Sequence, residues 1–313
     1  MEKEGGLFFI WGEYMSLLQK WGVAGLLLVT ALSIAPGEAR AYPAEPYSLD
    51  EGKKAHTKRF HILGDLGLFA GKLEGDQRTI VLSPVIEMRF QLAYSVLMQV
   101  MWGFSYANVD LEDADKENTF RVGNPYVAFH YQGKKNQFSY RVGVGATVPA
   151  ASLSDDINDR IIQSQAYYLA AGLRGNTDLW LWDPHTVSVV VPIGFERRKP
   201  TGFLWGAYLD TAALIKLNEK NARTSKTDFL MQMAAMMGYQ ATDWLRVGSR
   251  FTLVLIPKWK EQNTQLAVEP FLRFGNENAF GAIRVNINLD NPYGFSFDDR
   301  QVWGLRVAGG ASF

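Results

Sequence analysis

The final fourteen residues, Arg300 to Phe313, constrain this chain more than any other stretch. Trp303, Leu305, Val307, Gly309, Ala311 and Phe313 fall on one parity; Val302, Gly304, Arg306, Ala308, Gly310 and Ser312 fall on the other. A two-residue period is the period of a strand. The first face carries no charge and ends on an aromatic residue, which a sheet in water would not leave exposed but a bilayer accepts.

The same alternation recurs upstream. It is clearest where Leu92, Tyr94, Val96, Met98, Val100, Trp102 and Phe104 form one apolar row opposite Ser95, Gln99, Gly103 and Ser105. Further strands are expected over 59–70, 79–89, 120–131, 137–148, 186–197, 203–217, 228–240, 244–257, 264–274 and 279–289, with a very short connection at Phe90-Gln91. The connections alternate in length. Those near 90–91, 132–136, 198–202, 241–243 and 275–278 are tight, whereas 71–77, 107–118, 149–185, 218–227, 258–263 and 290–299 are longer and mostly polar. Short turns at one rim, long loops at the other and an even number of strands of roughly ten residues define a closed antiparallel transmembrane β-barrel of about twelve strands.

Ser154 to Trp182 decides the count. Ile157, Ile161, Ile162, Leu169 and Leu173 recur at helical spacing behind Ser154, Asp155 and Asp156, which suit a helix start. A short helix within the loop 150–185 is the first expectation, packed inward as a plug or resting on the rim. The alternative is one more strand pair turning at Gly175-Asn176-Thr177-Asp178, for fourteen strands.

The beginning of the chain reads as an export signal. The apolar run Trp21 to Ile34 follows Lys20 and precedes Ala39-Arg40-Ala41, so cleavage after about Ala41 is expected, with Met15 as an alternative start. The expected organisation is therefore a signal peptide over 1–41, an N-terminal periplasmic segment over 42–58 and a barrel over 59–313. The sequence contains no cysteine, so there is neither a disulfide framework nor an acylated-cysteine anchor. A net charge of zero leaves no basic or acidic tail for nucleic acid.

The terminal strand resembles the C-terminal insertion signal of bacterial outer-membrane barrels. That resemblance implies recognition by barrel-insertion machinery through Trp303, Leu305, Val307 and Phe313, with outer-membrane lipid and lipopolysaccharide as surroundings. Arg89-Phe90-Gln91-Leu92-Ala93-Tyr94-Ser95 is similar to the turn of outer-membrane channels of the phenol-degradation pathway type. Gly238-Tyr239-Gln240-Ala241-Thr242-Asp243 looks like a second copy, and Val148-Pro149-Ala150 resembles their strand-ending proline. The resemblance covers most of the chain as architecture and implies passage of small, often hydrophobic, compounds.

If the apolar rows face lipid, the opposite rows face the lumen. They hold Asp65, Glu87, Arg89, Gln99, Arg141, Glu196, Asp210, Arg246, Arg250, Glu269, Arg273, Arg284, Asn286 and Arg306, with Tyr126, Tyr208, Phe271 and Phe280 beside them. Such charges pair across strands, line a watery passage, or do both, and the excess of arginine favours anions.

Catalytic motifs are lacking. His56, His61, His130 and His185 are scattered, and no Gly-x-Ser-x-Gly elbow, His-Glu-x-x-His pair or phosphate loop occurs. The acidic run Asp110, Glu112, Asp113, Asp115 and Glu117 lacks the glycine of a calcium loop, so neither metal nor cofactor is expected. The expectation is a non-enzymatic outer-membrane barrel. Two functions suit it, a passive channel for small hydrophobic or anionic solutes and a non-conducting scaffold or anchor of an envelope complex.

Overall fold

A computed structural model describes residues 60–72, 78–93, 95–109, 117–135, 137–197, 201–217, 226–256, 263–276, 278–290 and 303–313. The expected signal peptide and periplasmic segment, and much of the acidic run, lie outside the described residues.

The strands are β1 (Phe60–Lys72), β2 (Arg78–Ala93), β3 (Val96–Val109), β4 (Glu117–Val122), β5 (Tyr126–Lys135), β6 (Phe138–Thr147), β7 (Thr186–Arg197), β8 (Gly202–Lys216), β9 (Thr227–Thr242), β10 (Leu245–Leu255), β11 (Thr264–Gly275), β12 (Ala279–Asn288) and β13 (Trp303–Ser312). Neighbours run antiparallel, and β1 pairs with both β2 and β13, so the sheet closes on itself. β4 and β5 pair with successive halves of β3 and share one stave, which gives a closed barrel of twelve staves. At the seam the amide of Phe60 donates to the carbonyl of Phe313 and the amide of Phe313 to that of Phe60.

Alternation does the sorting. Trp102, Phe129, Val144, Phe195, Phe229, Phe251, Ile283 and Trp303 stand exposed on the outside, while Glu87, Arg89, Glu196, Arg246, Glu269 and Arg306 on the opposite parity are buried inside. A continuous apolar outer surface with charge within reverses the arrangement of a soluble domain and is the pattern of a membrane barrel. The tight-turn rim carries an aromatic girdle. Phe138 stacks on Phe195 at 5.2 Å, Phe195 meets Trp205 at 5.5 Å, and Phe60 lies between Phe90 at 5.0 Å and Phe313 at 6.1 Å.

Three expectations need correction. The first tight turn is not at Phe90-Gln91: β2 continues to Ala93, with Phe90 opposite Met98 and Gln91 opposite Leu97. The outward parity passes from Leu92 to Val96 without a break in phase, so periodicity alone does not locate that turn. The stave expected over 120–131 is also interrupted, at Gly123-Asn124-Pro125, where the backbone turns to the loop described next. Lastly, only part of the expected helical stripe is buried.

That helix, α1 (Ile157–Gly172), replaces the alternative strand pair. The Asp156 carboxylate caps it, accepting from the amides of Asn158 at 2.9 Å and Asp159 at 3.3 Å. Its buried stripe is Ile162, Ala166, Leu169 and, just beyond its end, Leu173, packed against Phe69, Val81, Ala107 and Val109 on the inner wall of β1 to β3. Ile157 and Ile161 lie on its exposed side. After the helix, a 3-10 turn at Leu179–Leu181 and Trp182 pack against Tyr126, Val190, Leu214, Leu230 and Val254 from the other side of the barrel. The connection from β6 to β7 thus folds inward and crosses the lumen.

Candidate functional site

The crossing loop is tied to the wall at many points, each a backbone polar group that would otherwise be buried without a partner. Asn124 at the stave break serves four of them. Its side-chain nitrogen donates to the carbonyls of Trp180 at 3.1 Å and Asp183 at 2.8 Å, its side-chain oxygen accepts from the Ala151 amide at 2.8 Å, and its own amide donates to the Leu181 carbonyl at 2.7 Å. Elsewhere Ser105 donates to the Ala166 carbonyl at 2.9 Å, Asn288 to that of Gly172 at 2.9 Å, and the Asp178 amide to Gln232 at 2.8 Å. Gly175 sits at φ +65°, and a Cβ there would approach Ala267 Cβ to 2.7 Å, so glycine alone fits this close crossing.

Charge supplies the firmest tie. Arg174, on the loop, bonds Asp65 of β1 at 2.7 Å and donates to the Ser83 carbonyl of β2 at 2.8 Å. Asp65 is shared with Arg306 at 2.8 Å, Arg306 also pairs with Glu269, and Arg284 lies 3.9 Å from both Asp65 and Glu269. Two carboxylates and three arginines therefore form one network across β1, β11, β12, β13 and the loop.

On the tight-turn side of that network is a cavity of about 140 Å³. Its charged and amide lining comprises Glu87, Arg89, Gln99, Arg141, Asp210, Gln232, Arg250, Glu269, Arg273, Arg284 and Asp178 of the loop; Met101, Tyr208, Met236 and Phe271 supply apolar or aromatic surface. Eleven residues named from the sequence, nine of them charged or amide, thus meet at one space. Asp65 and Arg306 belong to the adjoining network. Asn286 lies beneath the end of α1, 3.4 Å from the Gly172 carbonyl; Glu196 accepts from the Tyr208 hydroxyl; Arg246 donates to Gln240 at 2.8 Å near the tight-turn rim. Arg174, Asp178, Gln232 and the two methionines were not among the residues named. Arg174 and Asp178 fall in a stretch that alternation does not reach, although Gly123-Asn124-Pro125, a turn tripeptide within an expected strand, was a sign that something docks there.

Other groupings have structural roles. His61 Nδ1 lies 2.6 Å from Ser312 Oγ, a Ser–His pair across the β1–β13 seam whose side chains are buried and do not line the cavity. His130 bonds Gln99 at 2.7 Å, and Gln99 in turn donates to Glu87 at 2.7 Å. Among the described residues no cluster of three or more His, Asp or Glu side chains is arranged to hold a metal.

Burial inside the lumen pushes the Asp178 carboxyl above the usual carboxylate range, outweighing the pull of Arg250 and Arg174. A carboxyl raised on folding stabilises below its unfolded value and loses that contribution as pH rises through the folded value. This contribution of Asp178 pulls the thermal midpoint down as pH rises across the acidic range, so relative to the wild type Asp178→Asn should shift the slope of midpoint against pH upward, as measured by unfolding scans of both proteins at a series of pH values.

No family model matches the chain, and no curated protein matches it either. Among solved structures, an outer-membrane channel from Pseudomonas putida F1 superposes with a TM-score of 0.54 at 10% identity, covering 90% of this chain and 100% of that one. The NanC porin gives 0.45 at 9% identity over 81% and 98% of the two chains. The translocator domain of the autotransporter NalP from Neisseria meningitidis gives 0.44 at 9% identity over 82% and 90%. The first likeness agrees with the barrel architecture read from the sequence: the fold is an outer-membrane-type β-barrel.

Proposed function

We propose that the chain is exported to the bacterial outer membrane and acts there as a passive channel for small solutes, with the β6–β7 loop as its constriction. The observation that carries this reading is the cavity inside the barrel, lined by five arginines against four carboxylates. A wall built only for rigidity gains nothing from an unfilled charged space, whereas a solute path needs one. Trp303, Leu305, Val307 and Phe313 would engage the insertion machinery, and lipopolysaccharide would surround the long-loop rim. No catalytic role is assigned.

A second reading is a closed scaffold, favoured by the many hydrogen bonds between loop and wall. Planar-bilayer recording separates the two. A channel gives stable steps with anion preference, and replacing Arg250 and Arg273 together by Gln should shift that preference toward cations. Absence of steps from correctly folded protein would reject the channel.

A further inference from the structure

Arg141 and Arg250 differ from the other charges around the cavity. Glu87 is engaged by Arg89 and Gln99, Glu269 by Arg306, and Asp210 by Gln232 at 2.9 Å. Arg250 stands directly opposite Glu269 in the β10–β11 register, yet that carboxylate has been taken from the far side. Among the described residues neither Arg141 nor Arg250 has an ion-pair partner, and the buried Nε of each lacks a hydrogen-bond partner. Both arginines flank one ring. The Arg250 guanidinium lies 5.8 Å from the centroid of Tyr208, and Arg141 Nε comes within 3.9 Å of where a Cβ on Gly194 would stand, a point 3.1 Å from the same tyrosine ring. Glycine at 194 thus leaves the room these two side chains occupy.

Asp178, Asp210 and Glu269 act on these arginines only through space, none of them paired with either, so a planar, bidentate acceptor entering the cavity meets two guanidinium groups with donors to spare. Beside the charged and amide groups, Met101, Met236, Phe271 and the Tyr208 ring give the same lining an apolar side. The volume of about 140 Å³ is close to the roughly 150 Å³ that accommodates one benzene ring. We infer that this cavity is a binding site for a small monocarboxylate with a single ring or an equally compact apolar body, its carboxylate held between Arg141 and Arg250. The inference rests on the reading of the lumen as a solute path and names the class of solute. Inorganic phosphate would engage the arginines but leave the apolar side of the lining against water, and a neutral ring would fill the space but make no use of the two guanidinium groups.

The test is calorimetric titration of the full-length protein in lipid nanodiscs at neutral pH with sodium benzoate, benzyl alcohol, benzamidine and inorganic phosphate. Benzoate should bind saturably at one site, and the other three about tenfold more weakly or not at all. Arg141→Gln and Arg250→Gln should each weaken benzoate about tenfold, Arg250→Lys should lose less, and Arg197→Gln at the tight-turn rim should change nothing. Heat-modifiable migration identifies folded variants; if Arg250→Gln does not fold, Arg141→Gln and Arg250→Lys decide. Absence of saturable benzoate binding, equal binding of benzyl alcohol or phosphate, or unchanged affinity in the folded glutamine variants would overturn the assignment. Conductance without benzoate binding would leave the channel and remove this site; benzoate binding without conductance would do the reverse.

Discussion

Replacing Arg174 by glutamine should release the crossing loop, raising single-channel conductance severalfold and lowering stability by about 3–5 kcal/mol, the usual cost of breaking a buried ion pair from one side. Arg174 is buried, holds the Asp65 carboxylate at 2.7 Å and satisfies the Ser83 carbonyl. Glutamine retains a donor but neither the charge nor the reach. Asp65 keeps Arg306, so the wall itself should survive while the loop loses its anchor on β1 and β2. Step size in a planar bilayer and the denaturant midpoint together check this. If both equal those of the wild type, the loop is held by its other hydrogen bonds and Arg174 is dispensable.

Trp182→Ala should have a comparable effect on stability by a different cause. Trp182 is 1% exposed and fills the lumen against Gly103 of β3, where a Cβ would come within 2.5 Å of its ring. Truncating so large a buried aromatic residue costs about 3–5 kcal/mol through lost burial and the void left behind. The companion change is Gly103→Ala. Alone it overpacks the same contact and should cost about 1–3 kcal/mol, but in the Trp182→Ala background the added methyl meets empty space and should cost little. Denaturant midpoints of the four combinations measure this coupling. Strictly additive losses would show that the two residues do not press on each other.

The wall of the barrel is legible in the sequence because lipid and lumen impose opposite demands on alternate residues, and a period of two survives even where a turn is misplaced. Parity carried over from Leu92 to Val96, so the third stave kept its correct faces although its start was set several residues early. The loop was only partly legible. Its helix announces itself through Asp156 and the spacing of Ile162, Leu169 and Leu173, but the depth to which it sinks depends on partners such as Gly103, Asn124 and Gly304 on distant strands. A glycine that accommodates a tryptophan and a glycine that merely suits a strand look alike in one dimension. The same limit applies to the cavity. Parity identifies which arginines point inward, while which of them have spent their charge on Asp65, Glu87 or Glu269 is a matter of three-dimensional neighbours.

The β1–β13 seam bears on how such a molecule comes into being. Every other stave pairs with one close to it in the chain, whereas Phe60 finds its partner at Phe313 and His61 at Ser312. Closing so long a loop adds only modestly to the entropic cost, because that cost grows with the logarithm of loop length. The burden is kinetic. Until the last strand arrives, the growing sheet is an open ribbon whose first strand waits with a row of unanswered amides and carbonyls, ready to accept a foreign strand. Glycines of β13 stand at mid-seam, Gly309 facing Gly64 and Gly310 facing Leu63, so the final approach is least crowded there. The barrel is in this sense a run of local hairpins completed by one distant handshake, and the time spent waiting for it is when the chain most needs a chaperoned edge.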